Sequence, residues 1–198
     1  QVASAEGYVR DPELVIDFYN ERRKQLLDVE PNAGHTGLAE LEKDFNVTVV
    51  TQNVDNLHER AGSTHVIHLH GELTKVCSSR DPYNPRYVRE LKPEEYEVKM
   101  GDKAGDGSQL RPFIVWFGEA VPEIETAIGY VEKADIFVII GTSMNVYPAA
   151  GLLNYVPRTA EVYLIDPKPV DTHSMRQIHV IQKGASEGVK ELKTEILH

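Results

Sequence analysis

Short apolar runs alternate with segments of helical periodicity along most of the chain. Runs typical of buried strands lie at residues 47–50, 66–69, 113–117, 136–140, 162–165 and 180–182. Apolar residues recur at helical spacing in residues 12–27, 32–45, 123–133, 147–155 and 186–197. Strands that are apolar throughout are buried on both faces, and strands that alternate with helices form parallel sheets. The pattern therefore predicts an α/β protein with a Rossmann-like parallel sheet and helices on both faces.

The first long helix has clear start signals. Asp11 is a favourable N-cap residue, and Pro12 fits the first helical position. These signals predict a helix from Pro12 to about residue 27. The apolar side chains that we expect on its inward face are Leu14, Val15 and Phe18, with Leu26 as a further candidate.

Residues 77–112 interrupt the regular pattern. This segment carries four prolines, several glycines and many charges, and it has no apolar periodicity. We therefore predict a small inserted module at residues 75–112. Residues 1–74 and 113–198 would be the two parts of the Rossmann-like domain.

Polar and small residues follow the predicted strands at their carboxyl ends. Gly141 would let a phosphate or a ribose approach the backbone, and an acid such as Asp166 suits ribose hydroxyls. Because the carboxyl ends of parallel strands share one edge, these groups predict a single groove that fits a dinucleotide. Each piece also occurs in plain turns, and Asp166-Pro167 is itself a turn signal. The residues concerned are Gln52, Asn53, Val54, Asp55, Gly141, Thr142, Ser143, Asp166 and Ala185.

Charge and composition narrow the range of partners. The formal net charge of −10 opposes non-specific binding to nucleic acid or to an anionic membrane. No apolar run approaches the ~20 residues that span a bilayer. The single cysteine, Cys77, excludes an intrachain disulfide and fits a reducing compartment. We therefore expect a cytoplasmic protein that binds neither nucleic acid nor membrane, and we expect it to be a monomer.

Four strings of residues resemble, in this order, the sirtuins, which are NAD-dependent protein lysine deacylases. They are residues 51–62 (TQNVDNLHERAG), 70–72 (HGE), 115–119 (VWFGE) and 141–143 (GTS) followed by Val146 and Pro148. The resemblance covers nearly the whole chain. It implies NAD as the cofactor and removal of acetyl, and also succinyl or malonyl, groups from lysines in proteins or peptides. The products would be nicotinamide, O-acyl-ADP-ribose and free lysine.

The resemblance also implies roles for residues that follow the first two strands. His70 would be the general base that acts on a ribose hydroxyl, and imidazole suits this role because its ordinary pKa lies near neutral pH. Gln52 and Asn53 would position the nicotinamide ribose, and Asp55 would hold the carboxamide of nicotinamide. His70, Asn53 and Asp55 would thus be the catalytic residues. Together with the groove residues named above, they would bind NAD.

Two other parts of the chain match substrate-binding parts of sirtuins. Tyr19 and Arg22 lie three residues apart on the first helix and resemble the pair that desuccinylases and demalonylases use to hold an acidic acyl group. Their spacing alone also fits a packed tyrosine beside a solvated arginine. The second part would pair with the main chain of the substrate peptide as an added strand. Its residues would be Val115, Phe117, Gly118 and Glu119, with Val146 and Tyr147 on the opposing side.

Two family features are absent from these 198 residues. One is the opening region with the glycine-rich Gly-Ala-Gly-x-Ser loop and the Phe-Arg segment that covers the cofactor, which we expect to precede Gln1 in a longer protein. The other is the pair of Cys-x-x-Cys motifs in the small module. Because structural zinc needs four ligands and Cys77 stands alone, we predict that the module binds no metal.

Two alternatives to a deacylase remain at this point. A protein ADP-ribosyltransferase could use the same NAD site, because the initial cleavage of NAD is shared. A module that senses NAD or binds peptide without catalysis is the third reading. The presence of His70 and Asn53 argues against that third reading.

Overall fold

The computed structural model describes residues 2–141, 149–172 and 176–197. Its helices are α1 (Ala5–Arg10), α2 (Pro12–Leu26), α3 (Ala33–Glu40), α4 (Leu57–Arg60), α5 (Ile124–Val131), α6 (Ala149–Leu152) and α7 (Ala185–Ile196). Its strands are β1 (Val49–Thr51), β2 (Val66–His68), β3 (Gly71–Ser78), β4 (Arg89–Glu90), β5 (Leu110–Ile114), β6 (Ile136–Ile140), β7 (Glu161–Ile165) and β8 (His179–Ile181). Short 3-10 helices lie at Leu41–Lys43, Pro85–Tyr87, Pro93–Glu95 and Leu153–Tyr155.

Two compact units make up the chain. The first comprises Gln1–Glu30, Thr51–Asn56 and His68–Pro122, and the second comprises Pro31–Val50, Leu57–Ile67 and Glu123–His198. No helix in the described ranges is both long and apolar enough to cross a membrane. The sequence predicted a different division, with residues 75–112 as an inserted module, on the basis of composition. That division stays a prediction.

Helix α2 begins as predicted, because the Asp11 Oδ1 atom accepts a hydrogen bond from the backbone N of Leu14 at 3.1 Å. The predicted inward face is wrong for two residues. Leu14 is 55% exposed and Phe18 is 38% exposed, whereas Val15 is buried. The buried face of the helix is thus rotated away from the one that apolar spacing predicts.

Buried polar side chains explain this rotation. Asn20 and Arg23 both lie on the buried face of α2. Asn20 Nδ2 donates to the Val98 carbonyl at 2.8 Å, and Arg23 Nε donates to the Leu73 carbonyl at 2.8 Å. Buried polar groups must find partners, and these two find backbone acceptors in the same unit.

An antiparallel sheet in the order β4-β3-β5 follows α2 in the first unit. Gly71 opens β3 with a φ of +90°, and a Cβ atom there would overlap the carbonyl oxygen of Phe113. Ile16 of α2 packs with Val76 of β3 and Leu110 of β5 in the core of the unit. The segment from residue 77 to 112 therefore contains sheet structure that its irregular composition did not predict.

A parallel sheet in the order β6-β7-β8 is the centre of the second unit. Strand β6 spans the residues predicted from its five consecutive apolar side chains. Helix α7 packs Val189 and Leu192 into a core with Ile165 of β7 and Ile181 of β8. Because the three strands run in the same direction, their carboxyl ends meet at one edge.

Candidate functional site

His70 lies in the turn between β2 and β3 and is half-buried. Its Nδ1 atom is 3.2 Å from the backbone carbonyl oxygen of Gln52. A carbonyl can only accept a hydrogen bond, so the neutral imidazole carries its proton on Nδ1 and leaves Nε2 as a proton acceptor. The residue that sequence reasoning assigned as general base is therefore oriented by a fixed backbone contact.

The loop after β1 is held against that turn by backbone hydrogen bonds. Leu69 N donates to the Thr51 carbonyl at 2.9 Å, and Leu73 N donates to the Val54 carbonyl at 2.7 Å. The Thr51 hydroxyl accepts from Asn53 N at 3.0 Å. The structure thus brings residues 52–55 and His70 together within the first unit, and the roles that the resemblance implies for them stay predictions. The Asn53 residue is exposed and Asp55 is half-buried.

His68 also contacts the loop that follows β1. It is buried, and its Nδ1 atom lies 3.1 Å from the Asn53 carbonyl oxygen. Its Nε2 atom lies 3.9 Å from Glu72 Oε1, and the other oxygen of that carboxylate, Oε2, accepts a hydrogen bond from Lys75 at 2.8 Å. His68 therefore contacts the backbone of Asn53 from the buried side of the loop.

In the second unit, the predicted cofactor residues lie at the carboxyl ends of the parallel strands. Gly141 follows β6 with a φ of +58°, and a Cβ atom there would meet no other atom within 4 Å. Asp166 follows β7, and its Oδ1 atom accepts from Lys168 N at 2.8 Å, so it also stabilises a turn. Ala185 is the first residue of α7. The single groove expected across the predicted sheet stays a prediction.

Four predicted site residues lie outside the described ranges. They are Thr142, Ser143, Val146 and Tyr147.

The predicted acyl-binding pair is divided between the interior and the surface. Tyr19 is 6% exposed, and its hydroxyl oxygen accepts a hydrogen bond from Trp116 Nε1 at 3.1 Å. Burial raises the pKa of Tyr19, so the hydroxyl keeps a proton that it can donate. Arg22 is exposed, and its Cζ atom lies 5.9 Å from the ring centroid of Phe18. No carboxylate in the described part of the chain forms an ion pair with Arg22.

The predicted peptide-binding segment begins where β5 ends. Val115 N donates to the His70 carbonyl at 2.8 Å, which ties this segment to the turn that carries the imidazole. Phe117 N donates to the Ala3 carbonyl at 3.0 Å. Phe117 is 84% exposed and Gly118 is exposed, although the backbone of Phe117 already forms an isolated parallel bridge with Ser4. Glu119 instead turns inward.

Sequence reasoning missed the partners of Glu119. Its carboxylate pairs with Arg111 at 3.1 Å and accepts a hydrogen bond from the Tyr83 hydroxyl at 2.7 Å. Arg111 and Tyr83 belong to the stretch without periodicity, so no sequence signal indicated that they meet. The sequence does show one unusual feature, since Arg111 lies within a run of apolar residues, which suggests a buried charge that needs a partner.

Cys77 is fully buried, and its Sγ atom lies 3.7 Å from the Pro112 carbonyl oxygen. Burial raises the pKa of this thiol to about 12. A metal-binding cysteine is a thiolate, so this environment opposes metal binding at Cys77.

A parallel sheet with a glycine and an acid at the carboxyl ends of its strands is the arrangement of nucleotide-binding α/β proteins. A family model described as the Sir2 family matches residues 1–148. The chain belongs to the Sir2 family, the sirtuins. This membership confirms the resemblance read from the four sequence strings, and the solved relatives below confirm the predicted α/β Rossmann-like fold.

Three relatives illustrate the match. A protein of Bacteroides thetaiotaomicron named NAD-dependent protein deacylase is 84% identical over 193 residues, which cover 98% of this chain and 82% of the relative. The crystal structure of a Sir2 homologue in complex with NAD is 35% identical with a TM-score of 0.83, covering 98% of this chain and 75% of the other. A complex of Sir2 with a p53 peptide and NAD is 28% identical with a TM-score of 0.78, covering 98% and 82%.

Proposed function

We propose that the chain is an NAD-dependent protein lysine deacylase that removes acetyl groups and also succinyl or malonyl groups. The deacylase activity is supported by the relative of 84% identity that carries this name. The use of NAD is supported by the two relatives solved with it, and the use of a peptide substrate by the one solved with a p53 peptide and NAD. The acidic acyl preference is supported by the surroundings of Arg22.

The residues present fit NAD. Gly141 has the backbone conformation and the open space that allow a nucleotide to approach its main chain. Asp166 and Ala185 would hold the adenosine end, and Gln52, Asn53, Val54 and Asp55 would hold the nicotinamide end. NAD supplies the ADP-ribose to which the acyl group is transferred when nicotinamide leaves.

His70 would accept a proton from a ribose hydroxyl at its Nε2 atom. In the neutral imidazole, the contact from Nδ1 to the Gln52 carbonyl places the proton on Nδ1 and leaves Nε2 as the acceptor. It also fixes the plane of the ring relative to the loop that carries Asn53. Much of the catalytic effect would then come from positioning, which the backbone contacts of residues 51–54 provide.

One observation carries the acidic acyl preference. Arg22 is an exposed cation without a carboxylate partner in the described residues, and it follows the buried Tyr19 by one helical turn. Arg22 also acts electrostatically on the Tyr19 hydroxyl. A carboxylate at the end of an acyl chain could therefore accept from the guanidinium and from the phenol together.

The test is the substitution Arg22→Met. A hydrogen bond to a charged group contributes about 1.5–3 kcal/mol, so kcat/KM for a succinyl-lysine peptide should fall about 10- to 100-fold. The value for the matched acetyl-lysine peptide should change little. Lys24→Met removes another exposed cation from the same helix and is the control. Equal losses on both peptides would contradict the acyl preference.

The same assay separates the deacylase from the alternatives. A deacylase releases nicotinamide only when an acylated peptide is present. Transfer of labelled ADP-ribose to protein would instead favour the transferase. NAD binding without any nicotinamide release would favour the module that has no catalysis.

A further inference from the structure

Residues 116–119 form a tight turn that is closed by two hydrogen bonds. Glu119 N donates to the Trp116 carbonyl at 3.0 Å, and the Glu119 Oε1 atom accepts from Trp116 N at 2.8 Å. Gly118 supplies the φ of +90° that the third position of such a turn requires. Phe117 therefore stands at an exposed corner whose shape depends on the Glu119 side chain.

Two further side chains hold that carboxylate. Arg111 donates to both of its oxygens, at 3.1 and 3.2 Å, and the Tyr83 hydroxyl donates to Oε1 at 2.7 Å. Arg111 is 3% exposed, so the ion pair is shielded from water. We name Glu119, Arg111 and Tyr83 the Glu119 anchor.

The protonation states fit this arrangement. Burial alone would raise the pKa of Glu119, but the hydrogen bonds from Arg111, Trp116 and Tyr83 lower it below its ordinary value. Burial, together with the hydrogen bond to Glu119, raises the pKa of Tyr83. The carboxylate is thus charged and the phenol protonated at neutral pH, as the observed donors require.

The anchor also reaches the acyl-binding side of the first unit. The Arg111 Cζ atom lies 3.9 Å from the ring centroid of Trp116, which is a cation–π contact. Trp116 Nε1 donates to the Tyr19 hydroxyl. One set of contacts therefore fixes both the exposed corner at Phe117 and the phenol that we assign to the acyl group.

We propose that Arg111 and Tyr83 are positioning residues for the acylated peptide, because they hold Glu119 so that residues 115–118 keep a shape ready to pair with a peptide main chain. The proposal rests on the proposed deacylase function. It also reassigns Glu119 from a residue that contacts substrate to one that shapes the edge. An edge that is ordered before binding loses less entropy when a peptide adds to it.

Nearby backbone groups are available for such pairing. No hydrogen bond among the described residues reaches the Val115 carbonyl or the backbone groups of Gly118. Tyr83 belongs to the small module, so the anchor gives that module a part in peptide binding.

The test is Tyr83→Phe, which removes one hydroxyl and keeps the edge-on ring contact with Phe113. We expect the KM for an acetyl-lysine peptide to rise about 10-fold, the effect of losing one hydrogen bond to a charged group. The kcat and the KM for NAD should stay within about twofold of wild type. Tyr87→Phe is the control, because Tyr87 lies half-buried in the same module and its hydroxyl has no hydrogen bond among the described residues.

Arg111→Lys is a second variant. It keeps the charge but loses the paired donors, so the KM for the peptide should rise more than in Tyr83→Phe. If Arg111→Lys does not fold, Tyr83→Phe alone decides.

An unchanged KM for the peptide in Tyr83→Phe, or a parallel loss of kcat and of NAD binding, overturns the proposal. A wild-type protein that releases no nicotinamide with acylated peptide overturns the deacylase function and this proposal together. An active wild type with an unaffected Tyr83→Phe variant overturns this proposal only.

Discussion

Gly71 is the glycine whose replacement should affect the fold most sharply in the first unit. It follows His70 and has a φ of +90°. A Cβ atom would overlap the Phe113 carbonyl oxygen and lie 2.9 Å from Ile114 Cα. Both obstacles are backbone atoms of β5, which cannot move aside by changing a rotamer.

Gly107 provides a matched control for the cost of the backbone angle. Its φ is +82°, and a Cβ atom there would meet nothing within 4 Å. An alanine in the left-handed region costs about 1–2 kcal/mol. Forcing extra atoms into a packed site costs about 1–3 kcal/mol more. Gly71→Ala should therefore lower the free energy of unfolding by about 1–3 kcal/mol more than Gly107→Ala.

Thermal unfolding followed by circular dichroism measures this difference. A change of 1 kcal/mol shifts the Tm of a domain of 150–250 residues by about 2–4 °C, so Gly71→Ala should melt roughly 2–12 °C below Gly107→Ala. Gly71→Ala should also lose deacylase activity, because displacement of β5 moves Val115 N away from the His70 carbonyl and so disturbs the turn that carries the imidazole. Equal Tm values for the two variants would show that β3 and β5 do not approach as closely as described.

Three further predictions concern titration, reactivity and catalysis. Hydrogen bonds from Ser108 and Ser78 lower the pKa of Asp106 to about 2, so its contribution to stability is present above its unfolded pKa of about 3.9 and is lost as the pH falls toward 2. Urea unfolding between pH 5 and pH 2 should show a steeper loss for wild type than for Asp106→Asn, and parallel curves would refute this. The Cys77 thiol should resist iodoacetamide at pH 8 in the native protein and react after denaturation, because burial raises its pKa to about 12; rapid native labelling would contradict its buried position. His70→Tyr should abolish product formation with an unchanged far-UV spectrum, and retained turnover would remove His70 from its role.

The sequence predicts local features well where one physical signal dominates. The bounds of β6 follow from five consecutive apolar residues, and the start of α2 follows from Asp11 and Pro12. The inward face of α2 could not be predicted in the same way. Asn20 and Arg23 are polar, so spacing arguments place them outside, and only their distant backbone acceptors make burial favourable.

In the candidate site, too, local sequence predicts some features, whereas others depend on tertiary contacts. Motif resemblance assigned roles to His70 and to the loop at residues 52–55, because each lies within a characteristic string of residues. It assigned Glu119 to the substrate, since the string alone does not show where a side chain points. The pairing of Glu119 with Arg111 and Tyr83 arises from tertiary structure in a segment without periodicity.

Arg23 and Arg111 are both buried in the first unit, but their charges have different kinds of partner. Arg23 faces neutral acceptors, namely the Leu73 and Tyr96 carbonyls and the Asn20 side chain, and burial lowers its pKa to about 10. Arg111 faces the Glu119 carboxylate, and although burial lowers its pKa, that contact raises it overall.

These differences assign different roles to the two arginines. Carbonyl oxygens belong to the backbone, so the contacts of Arg23 fasten α2 to β3 and to the segment near Tyr96 whatever side chains lie there. The contact of Arg111 depends on one carboxylate, which in turn shapes the exposed corner at Phe117. Loss of a single partner leaves a buried charge unpaired, which costs far more than the pair itself contributes. Arg23 therefore stabilises the packing of α2 within the first unit, and Arg111 links the segment that contains Tyr83 to the proposed peptide-binding edge.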